Sequence, residues 1–312
     1  MRCVVLDDLE GMAAASTDWS GLEVEFLTEH FTPEELILRL SGVEALVVMR
    51  ERTPVDRELL EHLPSLRLIV STGARNSSID LDACTARGVL VGAAPASSSA
   101  AAQLTWALLL AAARGLPDAL STVRGGGWWL SRPGIDLEGR RLGLIGLGRM
   151  GSAVARYGTA FDMDVVAWSP NLTAARCRAV GAHFVDLSDL MSTSDFVSLH
   201  LVSSPRTHGI IGDEQIRLMQ STSWLINTSR GALVDTSALV HALSNQRIAG
   251  AAMDVFDAEP LDSLDPLRSL PNVIATPHVG YATDRQLETW YRNVAEQLTG
   301  FVAGRPLSTP LN

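Results

Sequence analysis

Short aliphatic runs recur along the chain, each bounded by polar or turn residues and followed by a stretch with helical spacing. Cys3-Val4-Val5-Leu6, Ala45-Leu46-Val47-Val48 and Leu68-Ile69-Val70 come first. Leu142-Gly143-Leu144-Ile145, Val165-Val166-Ala167-Trp168, Phe196-Val197-Ser198-Leu199, Trp224-Leu225-Ile226 and Val273-Ile274-Ala275 follow. Strands that are apolar throughout, rather than alternating, are buried on both faces, which requires helices on both sides of a parallel sheet. The pattern predicts an α/β chain of doubly wound sheets.

The texture breaks between Gly92 and Ser99, a stretch rich in Ala, Ser and Pro. A long apolar helix follows at about Ala100 to Arg114, and a polar, Gly-rich segment, Arg124 to Pro133, precedes the next strand. The first domain boundary is expected near Ser97. The longest apolar stretch, Leu104 to Ala113, is too short to span a bilayer and carries Thr105 and Trp106, so it reads as a buried helix. A last helix, about Thr283 to Val302, sets Leu287, Trp290, Tyr291, Val294, Leu298 and Phe301 at helical spacing, and core packing accounts for that stripe.

Composition narrows the class. A chain of 312 residues suits two domains better than one, and 46% hydrophobic with 19% charged residues excludes a disordered chain. The net charge is −10 and no Lys/Arg run occurs, which argues against a nucleic-acid partner. Asp7 and Asp8 interrupt the first apolar run, so no signal peptide is read there. Cys3, Cys84 and Cys177 are far apart with no CxxC spacing; neither a disulfide nor a metal site is expected, and a reducing cytoplasm fits.

The chemistry begins at Gly146-Leu147-Gly148-Arg149-Met150-Gly151, a GxGxxG sequence after a strand and before a helix read from Ser152 to Phe161. Gly146 permits the tight turn, Gly148 admits a pyrophosphate to the backbone, and Gly151 lets helix and strand pack closely. The helix N-terminus offers N–H groups to the anion. The next strand ends at Ser169-Pro170-Asn171, where an NAD enzyme usually has an acid for the ribose hydroxyls. Arg176 lies in the following helix, and Asp164 is at the wrong end of the strand. The choice between NAD and NADP stays open.

Three later segments each follow a strand and so lie at the carboxyl edge of a sheet, where open α/β sheets bind ligands. They contain Arg230, Glu259 and His278. Hydride transfer at a 2-hydroxy acid needs a cation to hold the carboxylate, a base for the hydroxyl proton and a group to orient that base. An Arg, a His and a carboxylate are the residue types that do this, although each alone also reads as an ordinary surface or core residue.

The linked segments Leu142–Gly151, Val197-Ser198-Leu199-His200-Leu201, Ile226–Gly231, Asp254–Leu261 and Thr276-Pro277-His278-Val279-Gly280 resemble the D-isomer-specific 2-hydroxyacid dehydrogenases. That family includes phosphoglycerate dehydrogenases, hydroxypyruvate/glyoxylate reductases and D-lactate dehydrogenases. The resemblance implies that Arg230 binds the substrate carboxylate, that His278 is the acid/base and that Glu259 is its partner. It implies that Asp254 holds the nicotinamide carboxamide, with Arg149, Met150, Ser169, Asn171, His200, Thr228 and Gly280 also at the cofactor. It further implies a Rossmann dinucleotide-binding domain, residues 98–283, inserted in a flavodoxin-like substrate domain, residues 1–97 and 284–312. A cleft between them that closes on substrate, and a homodimer through the cofactor domain, are implied as well.

On the substrate side, the family's loop of backbone donors corresponds to Gly73 and Ala74, followed by Arg75, which either caps the cleft or faces solvent. Arg50, with Arg52 close by, fills the position of a phosphate-binding Arg in phosphoglycerate-type members. Where the family often has Asn and then Val-Ala-Glu, this chain has Ser97 and then Ala101-Ala102-Gln103. The sequence ends without a segment matching an appended amino-acid-binding domain, so feedback through one is not expected. Two other readings share the fold: a non-enzymatic dinucleotide-sensing protein, and a dehydrogenase of another substrate such as formate or phosphite; the long amino-terminal extensions and extra site residues of formate-type members are not seen.

Overall fold

The computed structural model describes residues 1–8, 11–95, 99–129 and 133–312; the boundary expected at Ser97 lies outside them. In chain order the first elements are β1 (Arg2–Val5), α1 (Met12–Ser16), β2 (Glu23–Phe26), α2 (Pro33–Arg39), β3 (Ala45–Val48), α3 (Arg57–Glu61), β4 (Leu68–Thr72), α4 (Leu81–Ala86) and β5 (Leu90–Ala94). Next come α5 (Ala100–Arg114), α6 (Leu116–Arg124), β6 (Arg141–Ile145), α7 (Arg149–Ala160), β7 (Asp164–Trp168), α8 (Ala174–Arg178), β8 (His183–Phe184), α9 (Leu187–Thr193) and β9 (Phe196–Leu199). The chain continues with α10 (Asp213–Leu218), β10 (Trp224–Asn227), α11 (Thr236–Ser244), β11 (Gly250–Met253), β12 (Val273–Ala275) and α12 (Asp284–Val302).

These elements form two compact units, Met1–Ser98 with Ala282–Asn312, and Ser99–Tyr281. Among the described residues the first unit holds a five-stranded parallel sheet in the order β2-β1-β3-β4-β5, the flavodoxin-like arrangement. Its core gathers Val4, Leu46, Val48, Ile69 and Val91 from the strands with Leu36, Leu40, Leu60 and Cys84 from the helical layers. Strands β3 and β4 are buried at every position, which is why β3 reads as an unbroken apolar run and β4 as one from Leu68 to Val70. Helix α12 returns to this unit: Leu287, Trp290, Tyr291, Val294 and Leu298 are buried, and Gln297 Nε2 donates to Ala93 O at 2.7 Å. Residues 309–311 run beside β5, with Ala93 N donating to Thr309 O and Leu311 N to Val91 O, both at 2.8 Å.

The second unit holds a seven-stranded parallel sheet in the order β12-β11-β10-β9-β6-β7-β8. The order reverses between β6 and β9, so their carboxyl ends part and leave a crevice, as in a Rossmann fold. Helix α5 is read with the same limits from sequence and structure; it buries Thr105, Trp106, Leu108 and Leu109, and Gly115 at φ 58° ends it.

The hydrophobic pattern did not mark β2, β5, β8 or β11. β2 alternates Glu-Val-Glu-Phe as an edge strand does, and β8 has two residues. β11 is Gly-Ala-Ala-Met and β5 contains Gly92-Ala93-Ala94, so small residues hide buried strands; β5 runs into the stretch read as a break. α7 begins at Arg149, inside the glycine motif, three residues before the helix read from sequence.

Candidate active site

At the crevice of the second unit, Gly146 turns the chain out of β6 at φ 105°. A β-carbon there would lie 2.7 Å from the carbonyl carbon and oxygen of His200, so only glycine fits. One at Gly151 would overlap Gly146 O, which brings the first turn of α7 against the strand end. One at Gly148 would meet nothing within 4 Å: the protein leaves open space at the N-terminus of a twelve-residue helix. That is the place and the electrostatics a pyrophosphate needs, and the residues present fit a dinucleotide.

The other expected cofactor residues surround this loop unevenly. Arg149 is exposed beside Gly148, while Met150 packs its side chain on the core. Gly146 N donates to Trp168 O at 2.8 Å, so the end of β7 adjoins the glycine turn. Ser169 follows, half-buried, and Asn171 is exposed. Arg176 is exposed on α8, and Asp164 is engaged by Arg141 at 2.6 Å at the far end of the strand. His200 has Nε2 3.0 Å from Ser198 Oγ; burial holds its imidazole neutral, with the pKa down at about 4.

The three chemistry-bearing segments follow β10, β11 and β12, which are neighbours in the sheet. At the end of β10, the buried Asn227 fixes the turn: its Oδ1 accepts from Ser229 N at 3.0 Å and its Nδ2 donates to Arg230 O at 2.8 Å. Arg230 Nη1 donates to Ser229 O at 2.7 Å. A β-carbon on Gly231 would overlap the backbone of Phe256, so this glycine lets the Arg230 turn press against the loop carrying Glu259.

After β11, Asp254 is buried and tied to the third segment. Its Oδ1 accepts from Thr276 Oγ1 at 2.6 Å and Val279 N at 2.9 Å, and its Oδ2 from Gly280 N at 2.8 Å. Burial pushes this carboxyl above its ordinary value despite those donors. Between Thr276 and Val279, His278 sits in the left-handed region at φ 53°. Its Nδ1 lies 2.5 Å from Glu259 Oε2, and Glu259 Oε1 accepts from Phe256 N at 2.8 Å.

Burial alone would raise the Glu259 carboxyl. The His278 hydrogen bond and charge, the Phe256 amide and the Arg230 charge together outweigh it and hold the carboxyl below its ordinary value. Arg230, Glu259 and His278 therefore form one electrostatic cluster. With Nδ1 committed to the carboxylate, Nε2 is the ring nitrogen left for a reacting atom. Among the described residues no group of three His, Cys, Asp or Glu side chains is arranged to hold a metal ion.

In the first unit, the expected substrate residues divide. Arg50, at φ 52°, is held through its backbone: its N donates to Thr72 Oγ1 at 3.0 Å and its O accepts from Asn76 Nδ2. A β-carbon on Gly73 would overlap Arg50 Nη1, so the guanidinium lies across that glycine, 5.8 Å from the Trp290 ring. Arg52 is half-buried, and Ala74 and Arg75 are exposed.

Sequence reasoning missed the roles of Asn227 and Asn76, which grip the backbone at Arg230 and Arg50, and of Thr276, which donates to the Asp254 carboxylate. A polar side chain directly after an apolar strand was the available signal for Asn227. Thr105 was noticed only as a polar interruption of an apolar helix; its Oγ1 lies 2.6 Å from that of Thr228.

A parallel sheet with this strand order, a glycine turn leading to a helix N-terminus and open space for a phosphate define a dinucleotide-binding α/β protein. The chain belongs to the D-isomer specific 2-hydroxyacid dehydrogenase family, whose NAD binding domain model matches residues 106–280. It is 39% identical over 315 residues to a D-3-phosphoglycerate dehydrogenase of Methanocaldococcus jannaschii, covering 100% of this chain and 59% of that one. It is 38% identical over 282 residues to a glyoxylate reductase of Aeropyrum pernix, covering 87% of this chain and 84% of the relative. A crystal structure of a phosphoglycerate oxidoreductase from Vibrio cholerae superposes with TM-score 0.90 at 33% identity, covering 97% of this chain and 99% of that one. The chain spans 59% of the length of the phosphoglycerate dehydrogenases of M. jannaschii and Archaeoglobus fulgidus that it matches. Among the described residues no helix is long and apolar enough to cross a membrane.

Proposed function

We propose that this protein is an NAD(P)-dependent oxidoreductase that interconverts a small 2-oxo acid and its D-2-hydroxy acid. The observation that carries this reading is the 2.5 Å contact between His278 Nδ1 and Glu259 Oε2, with the Arg230 charge acting on the same carboxylate. Arg230 binds the substrate carboxylate through two parallel N–H donors. His278 Nε2 gives its proton to the C2 carbonyl oxygen in reduction and takes it back from the hydroxyl in oxidation. Glu259 orients the ring and stabilises its charged form. A bound nicotinamide supplies or accepts the hydride at C2. Gly148 and Arg149 would hold its pyrophosphate, on the turn that Gly146 and Gly151 shape, and Asp254 would hold its carboxamide. The unit Ser99–Tyr281 is the cofactor domain and the other the substrate domain, with Arg50 and Gly73 as its substrate contacts.

We also infer a homodimer through the cofactor domain. Helix α6 has no buried residue, and Leu116, Leu120 and Val123 are exposed together with Trp128 and Trp129, at 76% and 85%. Apolar surface of this kind is characteristic of an interface. Three free, buried cysteines support a cytoplasmic location.

The test is NADH and NADPH oxidation with glyoxylate, hydroxypyruvate, pyruvate and phosphohydroxypyruvate. Turnover with at least one supports the reading. Tight dinucleotide binding without turnover on any of them would favour the dinucleotide-sensing alternative. Light scattering reads the oligomeric state, and a monomer would remove the dimer.

A further inference from the structure

Two hydroxyls link α5 to the turn after β10, and their protons can be assigned. Thr105 is buried, and its Oγ1 donates to Ala101 O at 2.8 Å. A carbonyl oxygen only accepts, so the single hydroxyl proton of Thr105 is used there. Thr105 Oγ1 is also 2.6 Å from Thr228 Oγ1, a contact that requires a proton between the oxygens. With the Thr105 proton on Ala101 O, the proton between the two hydroxyls is that of Thr228. The half-buried Thr228 hydroxyl is thereby left with lone pairs alone for any other partner.

Its surroundings have the same character. Asn227 and Met253 are paired in the β10–β11 register, and Asp254 N donates to Asn227 O at 2.9 Å. Thr228 and Asp254 are thus the first residues beyond the ends of two adjacent strands. Asp254 is a carboxylate, an acceptor only. The first turn of α5 reaches the same corner, since a β-carbon on Gly280 would lie 2.9 Å from Asp254 Oδ2 and 3.6 Å from Ala101 Cα.

We infer that Thr105 is a positioning residue that fixes the Thr228 hydroxyl as a hydrogen-bond acceptor, so that Thr228 and Asp254 together select a ligand group with two N–H donors: the primary amide of the nicotinamide. This rests on the reading of the unit Ser99–Tyr281 as the cofactor domain. An apolar side chain at 105 removes the acceptor that holds the Thr228 proton. The Thr228 hydroxyl then turns and presents its own donor, and the preference for an amide over a methyl ketone is lost.

The experiment is calorimetric titration of the full chain with NADH and with the reduced 3-acetylpyridine analogue, whose methyl group replaces the amide nitrogen. The wild type is expected to bind NADH more tightly than the analogue. Thr105→Val should reduce that ratio by about 3–10-fold, the worth of one net hydrogen bond, through weaker NADH binding alone. Thr105→Ser should restore the ratio, and Thr228→Val should reduce it as much as Thr105→Val, the double variant adding nothing further. Equal weakening of both ligands in Thr105→Val, or an unchanged ratio, would overturn the assignment and leave Thr105 a packing residue. A wild type that binds NADH but does not prefer it to the analogue sinks this inference while leaving the proposed activity standing. A wild type that binds neither removes both.

Discussion

Glu259 Oε2 lies 2.5 Å from His278 Nδ1, although nineteen positions separate the two residues in the chain. The carboxylate stands behind the ring and leaves Nε2 as its working face. His278→Ala should therefore lower kcat by about 10²–10⁴-fold, the usual contribution of a positioned acid/base, while the NADH dissociation constant stays near the wild-type value. Steady-state rates with the best 2-oxo acid, set against calorimetric NADH binding, check this. Wild-type kcat/KM in the variant would remove the assigned role.

Arg230 acts through shape as well as charge. Arg230→Lys keeps the charge and loses the planar fork. The expected loss in kcat/KM for the oxo acid is about 10–150-fold, corresponding to roughly 1.5–3 kcal/mol for a hydrogen bond to a charged group. NADH binding should be unaffected. A lysine variant as good as the wild type would mean that the carboxylate is held elsewhere.

The Glu259 carboxyl is held below its ordinary value of 4.5 in the folded protein. Above that pH its ionised form contributes stability. As the pH falls through the lower folded value, the unfolded chain takes up the proton first and the contribution is lost. Thermal melts from pH 6 down to pH 3 should show the wild type losing more stability than Glu259→Gln. Asp254, raised by burial, acts in the opposite sense but is common to both proteins and cancels in the comparison. Parallel melting curves would contradict the pairing. At neutral pH, Glu259→Gln should also lower kcat/KM at least ~10-fold, because the ring loses its counter-charge.

Gly231 tests how Arg230 is positioned. Its missing side chain is what allows the Arg230 turn to touch the Phe256 backbone. Gly231→Ala should cost about 1–3 kcal/mol of stability by overpacking and should lower kcat/KM as the guanidinium shifts. Chemical denaturation and steady-state rates measure both. An alanine variant with unchanged stability and rate would show that the loop yields freely.

Much of this was legible before any coordinates. Fully buried strands such as β3, β4 and β9 are apolar at almost every position, and Gly146 and Gly151 in the first βα turn of the second unit are demanded by backbone contacts that leave no room for a side chain. Arg230, Glu259 and His278 each read alone as ordinary residues and were singled out by the linked segments that carry them; the structure brings His278 Nδ1 to Glu259 Oε2. Other features were hidden for physical reasons. β11 is built from Gly, Ala and Met, which carry no strand signal, and β5 passes through Gly92 because a β-carbon there would meet the Gln297 side chain from α12. Thr276 and Asn227 act by gripping other residues' backbones or carboxylates, and such partnerships across long sequence distances leave no periodic trace.

Residues 309–311 lie along β5, and Asn312 adds side-chain bonds to Val89 O and Thr85 Oγ1. An outermost strand with unpaired amides is a template for sheet extension between molecules. In this protein the polypeptide supplies its own cover for that margin. Proteolytic trimming of these few residues would bare a sticky flank and invite aggregation while leaving every residue of the proposed catalytic cluster in the chain.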